Sequence, residues 1–540
     1  MQQALPLQGG FGSRYSWPGM TFCVTPSSRL MTNDLWTKAI ALFTLYRWSE
    51  DVNHMNKYRL CSVLLFTLPS MALALPDSNQ VEFSNCALSL PGTTFTANAR
   101  CGSMEVAENP EDPDGRKIIL NIAVAPATGK TSEPDPVFIF AGGPGQAASE
   151  TWVMMRPVLN KVRKNRDIVM IDQRGTGGSN KLACTTEIEE DLNQELDLDL
   201  VRTETQKCLA ELDGDPRFYT TSIAMGDYNL VREAMGYEKI NLLGISYGTR
   251  SSQVYLRLFP ETVRTITLDS VVPMQLALGQ EHALTLDSSV EAVFEACQQD
   301  DTCHELFPHS KDELSTLFAQ LHESPRQITI THPVSGEQEE IRLSADTLAV
   351  AIRFLSYASE TQALIPLLVH EAIESGDLSR LASQAIIVMS GLSEMLAKGM
   401  ELSVMCAEDY PFMDFSRDYS DKLMGNLLLD IVKVQCEIWP HGEVPADFHE
   451  PVASDVPVLL MSGERDPVTP PRYATQVAEN FPNSLNLVAR GQAHSVMKNI
   501  CLRDITTEFI EKGSIADIDT SCVDKIQPSP FFTSLLGPKP

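Results

Sequence analysis

Asn241-Leu242-Leu243-Gly244-Ile245-Ser246-Tyr247-Gly248-Thr249 decides the fold. Ile240 to Leu243 is a short apolar run that reads as the end of a buried strand. Val254, Tyr255, Leu256 and Phe259 then follow in a helical pattern that stops at Pro260. Between strand and helix stands Gly-x-Ser-x-Gly, the pattern of a turn sharp enough to lift a serine above a sheet. Gly244 and Gly248 leave room where any Cβ would collide. Such a turn sets Ser246 near a helix N-terminus, whose unpaired N–H groups can face a developing oxyanion.

Outward from this turn, buried strands alternate with helical stretches. Residues 117–124 read as a strand, one side of a hairpin with 104–106. The runs 136–140 and 167–172 are almost wholly apolar, as strands buried in a parallel sheet are, with a helical stretch at 150–165 between them. The first ends in Gly142-Gly143-Pro144-Gly145, the second in Gln173-Arg174-Gly175-Thr176-Gly177-Gly178-Ser179. A helix near 222–235 leads into the Ser246 strand, and 264–269 is the strand after it. From 275 to 450 the pattern changes to amphipathic helices, at 286–298, 345–356 and 361–374, with weak strands near 327–330 and 340–343. The alternation resumes at 456–461, and 484–488 is the last strand. This predicts an α/β protein with a mostly parallel sheet covered on both faces. Residues 75–274 form the first part of the core, 275–450 an inserted helical cap, and 451–540 the second part with its tail. The segment between Cys86 and Cys101 is expected to be irregular.

A serine hydroxyl needs a base, and the base needs an orienting acid. Among ten histidines, His494 is best placed, in Gly491-Gln492-Ala493-His494-Ser495 between the last strand and a helix. The acid is expected at Asp466, in the loop Ser462-Gly463-Glu464-Arg465-Asp466 that leaves a buried strand, with Asp269 and Glu464 as rivals. Serine, aspartate and histidine come in the chain order of hydrolases with this turn. The expected oxyanion donors are the N–H groups of Tyr247 and Gly143, with Gly145 or Gln146 in reserve because Pro144 has none. Asp172, Arg174 and Ser179 are assigned a structural role, tying the neighbouring loop together through charged hydrogen bonds.

At 540 residues the chain exceeds what one hydrophobic core usually supports. A formal charge of −29 argues against nucleic-acid binding and against adsorption to an anionic membrane. Residues 1–54 show no sustained period, and Met55-Asn56-Lys57-Tyr58-Arg59-Leu60 opens a basic start with an apolar run to Leu68. Met71-Ala72-Leu73-Ala74 supplies a small-residue cleavage site, so 55–74 reads as a secretory signal. Translation is then expected to begin at Met55, leaving 1–54 as a misassigned or disordered extension, and the mature protein in a periplasm or outside the cell. Ten of the twelve cysteines follow this signal and fall into plausible pairs in chain order, as disulfides of an oxidising compartment do. None clusters with histidines as a zinc site would.

The glycine loop at 142–145, Asp172-Gln173-Arg174-Gly175-Thr176-Gly177-Gly178-Ser179 and Gly244-Ile245-Ser246-Tyr247-Gly248 together resemble the proline iminopeptidase family of serine peptidases. Cys101-Gly102-Ser103-Met104-Glu105-Val106 and the Asp466 and His494 segments are similar to its secreted tripeptidyl aminopeptidase-like branch. The resemblance implies an α/β-hydrolase core with a helical cap, cleavage of N-terminal residues or short peptides from peptide substrates, and no metal or organic cofactor. It also implies cap carboxylates that hold the substrate's free amino group: Glu408 first, with Asp409 and Glu437 behind it, fixed by a Cys406–Cys436 bridge. Two departures bear on proline specificity: Ala141 stands where that family has histidine before the double glycine, and Tyr247 where it has tryptophan. The competing readings are a secreted carboxylesterase or other acyl hydrolase using the same triad, and an inactive binding protein on the same scaffold.

Overall fold

The computed structural model describes residues 81–184, 197–333, 335–393 and 395–539; the expected signal at 55–74 and the extension before it lie outside them. The main strands, in chain order, are β1 (Ser84–Ser89), β2 (Thr96–Ala107), β3 (Lys117–Ala125), β4 (Val137–Phe140), β5 (Ile168–Ile171), β6 (Ile240–Ile245), β7 (Val263–Asp269), β8 (Arg326–Thr331), β9 (Gln338–Leu343), β10 (Val458–Gly463) and β11 (Ser484–Ala489). Nine of them build one sheet in the order β1-β2-β3-β5-β4-β6-β7-β10-β11. β1, β2, β3 and β5 pair antiparallel in succession, and every pairing from β5 to β11 is parallel.

The apolar runs fill the middle of this sheet because both of its faces are covered. All residues of β4, β5, β6 and β10 are buried. Successive side chains point to opposite faces. Phe138, Phe140, Val169, Leu242, Ile266 and Leu460 join one core, with Tyr228 and Tyr255 from the helices Thr221–Ala234 and Tyr247–Leu258. Val137, Ile139, Met170, Leu243, Ile245, Leu459 and Met461 join the other, with Trp152 from Ala148–Leu159 and Leu502 and Phe509 from Ile500–Lys512. The chain leaves β4 in one direction to β5 and returns past it to β6, so the strand order reverses at the β4–β6 step. Open parallel sheets hold their sites at the strands' carboxyl ends, at such a reversal.

The segment between Cys86 and Cys101 is ordered rather than irregular. β1 and β2 pair antiparallel there, Cys86 opposite Ala99, and a disulfide joins Cys86 to Cys101. The buried positions at the start of β2 are Ala97 and Ala99, whose small side chains carry too weak a period-two signal to be read in sequence. All five bridges among the described residues join neighbours in chain order: the others are Cys184–Cys208, Cys297–Cys303, Cys406–Cys436 and Cys501–Cys522.

Between β7 and β10 a helical layer with its own apolar core is inserted. Leu286, Phe294, Leu317, Ile352, Leu368, Val432 and Trp439 are among its buried residues, and β8 and β9 form a separate antiparallel hairpin within it. The helix Leu198–Glu211 packs on this layer through Cys208, whereas Phe448 and Val452 already pack against the sheet. No helix among the described residues is long and apolar enough to cross a membrane.

Candidate active site

Ser246 closes β6 with φ +56° and ψ −124°, a conformation that costs a non-glycine residue on the order of 1–3 kcal/mol. The surrounding packing enforces it: a Cβ on Gly244 would come within 2.5 Å of the Gly248 carbonyl oxygen, and one on Gly248 within 2.0 Å of the Phe140 oxygen. Ser246 stays partly exposed while its neighbours are buried. Tyr247 opens the following helix, so its N–H has no acceptor within that helix. The glycine loop lies alongside, since a Cβ on Gly142 would come within 3.3 Å of Ser246 Cβ. Gly143 is exposed, with φ +102° that only glycine adopts without strain, and its N–H enters no backbone hydrogen bond among the described residues.

The loops after β10 and β11 bring acid and base together. His494 Nδ1 lies 2.8 Å from Asp466 Oδ2 and 3.0 Å from Oδ1. Asp466 Oδ1 accepts the N–H groups of Val468 at 2.9 Å and Thr469 at 2.8 Å, and Oδ2 accepts the Thr469 hydroxyl at 2.8 Å. Burial by itself would raise the Asp466 pKa, but the imidazole's charge and these donors hold it below the ordinary value. Burial likewise disfavours the imidazolium of His494, yet the carboxylate of Asp466 outweighs it and raises the pKa. The rival acids have other work. Asp269 accepts the N–H groups of Val496 at 2.9 Å and Met497 at 3.0 Å, and Glu464 that of Gly491 at 2.7 Å.

Asp269 also explains how serine and histidine come to share one sheet edge. Ser246 N–H donates to the Asp269 carbonyl at 2.9 Å, and Ser495 N–H to the Ser270 hydroxyl at 2.8 Å. The nucleophile turn and the histidine loop therefore hang from the same two-residue anchor at the end of β7. The inserted layer grips the same loop: the Tyr357 carbonyl accepts His494 N–H at 3.1 Å, and Ser359 Oγ accepts Ala493 N–H at 2.9 Å.

The remaining sequence-predicted residues fall into two groups. Asp172, Arg174 and Ser179 are buried and committed to the scaffold. Asp172 receives Ser149 N–H, Asn121 Nδ2 and Gly178 N–H at 2.8–3.0 Å, and Ser179 Oγ receives Asn121 N–H at 2.8 Å. Arg174 makes a bidentate pair with Asp227 at 2.6 and 2.8 Å. Glu408 and Asp409 lie in a π-helical turn, Met405–Asp409, and both are fully buried. Such turns recur at functional sites. Glu408 accepts Thr221 N–H at 2.5 Å and the Thr221 hydroxyl at 2.8 Å, and that hydroxyl lies 2.6 Å from Tyr247 Oη. Burial, with the Asp409 charge beside it, pushes the Glu408 pKa up to about 7. Asp409 Oδ1 pairs with Arg250 at 2.8 Å and accepts Leu278 N–H at 2.8 Å, while Oδ2 has no hydrogen-bond partner among the described residues. Glu437 stands apart. Cys436 is buried, but the next residue on the helix turns outward, so Glu437 is exposed and meets Arg202 at 3.5 Å.

Sequence reading missed Thr221, Thr469, Arg250 and Tyr357, because none of them sits in a motif. Thr469 alone had a local signal, a hydroxyl three residues beyond the acid where it can cap the carboxylate. Thr469→Ala removes one of the hydrogen bonds that orient Asp466. A loss of about 1–2 kcal/mol, or roughly tenfold in kcat/KM on an activated acyl ester, is expected in steady-state kinetics.

The chain is similar in sequence to known proteins. The family described as TAP-like protein matches residues 421–522. The chain is 23% identical over 483 residues to the putative hydrolase YuaR of Escherichia coli K12, covering 82% of this chain and 93% of that one. It is 23% identical over 485 residues to the serine protease Hip1 of Mycobacterium tuberculosis H37Rv, covering 83% and 92%. It is 24% identical over 480 residues to the tripeptidyl aminopeptidase of Streptomyces lividans, covering 80% and 85%. Fold and relatives define an α/β-hydrolase of the serine hydrolase class. Within that class the chain is similar to a tripeptidyl aminopeptidase and, over residues 421–522, to the TAP-like family.

Proposed function

We propose that the protein is a secreted serine exopeptidase that removes N-terminal residues or short peptides from substrates with a free amino terminus. Ser246 attacks the scissile carbonyl while His494, held by Asp466, takes its proton and returns it to the leaving amine. The N–H groups of Gly143 and Tyr247 stabilise the oxyanion, and water then releases the acyl group from Ser246 by the same route. Export is supported by the signal-like stretch at 55–74 and by five disulfides.

The observation that carries the exopeptidase reading is the buried pair of carboxylates linked to the nucleophile turn. Glu408 reaches Tyr247, the residue after Ser246, through one threonine hydroxyl. An ammonium docked there converts a half-protonated carboxyl into a carboxylate and gains a strong charged hydrogen bond away from water. Asp409 Oδ2, without a hydrogen-bond partner among the described residues, is a second acceptor for the same group, its charge already balanced by Arg250. The test is product analysis by mass spectrometry on a peptide series and its N-acetylated counterparts. Free-amine peptides should be shortened from the N-terminus and blocked ones left intact. Equal rates on both would remove the amine anchor and leave a general acyl hydrolase.

A further inference from the structure

The chain carries 71 acidic residues against 42 basic ones, and its fully buried arginines have taken carboxylates: Arg174 with Asp227 and Arg250 with Asp409. Arg353 has not. It is half-buried in the last turn of the helix Ala345–Leu355, with no carboxylate in salt-bridge range among the described residues. Its Nη2 meets Tyr357 Oη at 3.2 Å and His282 Nδ1 at 3.3 Å, and Nη1 meets Met424 Sδ at 3.8 Å. Burial, then the charge of Arg353, then nearby His494 push the His282 pKa well below its ordinary value, so this imidazole is neutral. A neutral ring that accepts from Arg353 at Nδ1 carries its proton on Nε2. That N–H has no partner among the described residues.

This cationic corner touches the triad. The Tyr357 ring stands edge-on to the His494 ring, with centroids 5.4 Å apart and planes at 74°, and the Tyr357 carbonyl holds His494 N–H. The histidine hands its proton to the departing amine, so groups packed on its ring border the path of the leaving fragment. The Glu408 cluster joins the site from the other partner, through Tyr247.

We propose that Arg353, with the His282 Nε2–H beside it, binds a carboxylate on the leaving fragment. The enzyme then favours short peptides whose released part carries a free carboxylate close to the cleaved bond. This rests on the exopeptidase reading and adds to it which substrates are preferred. A guanidinium is suited to the role, because it presents planar paired donors to a carboxylate and stays charged at any working pH.

The test compares kcat/KM for free-amine peptides that end one residue beyond the cleaved bond as the acid or as the amide. A second pair carries aspartate or asparagine at that residue, both as the amide, and an N-terminal aminoacyl anilide has no carboxylate at all. A charged hydrogen bond of this kind predicts an acid-to-amide ratio of about ten in the wild type. Arg353→Gln should bring that ratio close to one. A preference in the first pair assigns the C-terminal carboxylate as the ligand; one in the aspartate pair assigns the side chain. Ratios near one in both pairs of the wild type, or a ratio unchanged in Arg353→Gln, overturn the proposal. The wild-type ratio decides even if the variant folds poorly. Anilide turnover without acid preference sinks this inference alone, whereas no turnover of any free-amine substrate sinks the exopeptidase reading.

Discussion

Ser246→Ala is expected to lower kcat/KM on every substrate by on the order of 10⁴-fold or more, with thermal unfolding close to that of the wild type. The size follows from the chemistry: without the hydroxyl there is no acyl-enzyme, and only substrate binding and the oxyanion donors remain to assist water. Fold should survive because the side chain is partly exposed and the strained backbone at φ +56° is imposed by the close approach of Gly248 to Phe140, which alanine leaves intact. His494→Ala should match the loss closely, because residues that act as one unit do not add. A double variant no worse than either single one is therefore part of the expectation, read from steady-state rates on an activated ester and on a free-amine peptide.

Glu408→Gln should cost free-amine peptides about 10²-fold in kcat/KM, with a far smaller effect on a neutral acyl ester. Glutamine is nearly isosteric and still accepts Thr221 N–H through its carbonyl, so the change removes charge rather than shape. The pH dependence carries the sign. With its pKa pushed up to about 7, Glu408 is protonated below that pH and loses its hold on an ammonium, so KM for free-amine peptides should rise as pH falls through 7. In Glu408→Gln that dependence should vanish. The acid limb from His494, whose raised pKa must be exceeded before it can accept the serine proton, should stay in the ester rates. Stability gives an independent check. A carboxyl whose folded pKa lies above its unfolded one binds more protons in the native state between the two. The wild type therefore loses stability as pH rises from about 4.5 to about 7, and the glutamine variant should lose less. Thermal midpoints across that range read the difference.

The sheet could be read in advance because its central strands are continuous apolar runs, a pattern that only burial on both faces explains. The nucleophile turn, the acid loop and the histidine loop were legible for a related reason: each leaves a strand end that the sheet aligns with the others. β1 escaped notice because alanines line its partner's buried face. The allegiance of the helix Leu198–Glu211 to the inserted layer was hidden, since nothing local tells a helix which core it will meet. The polar network around Glu408 was partly hidden too. Thr221 lies 187 residues from Glu408 in the chain, and Arg250 lies 159 from Asp409, so no window of sequence contains either pair. Glu437 failed to join them because helix rotation, invisible in a motif, turns it to solvent. The grip of Tyr357 and Ser359 on the histidine loop belongs to the same class of long-range contact.

Labelling with a serine-directed fluorophosphonate, with the adduct mapped by peptide mass spectrometry, tests whether Ser246 is a nucleophile activated by His494. One adduct on the Ser246 peptide of the wild type is expected, forming at least about a hundredfold more slowly in His494→Ala. An adduct on another residue, or labelling of Ser246 at the same rate without His494, would contradict it.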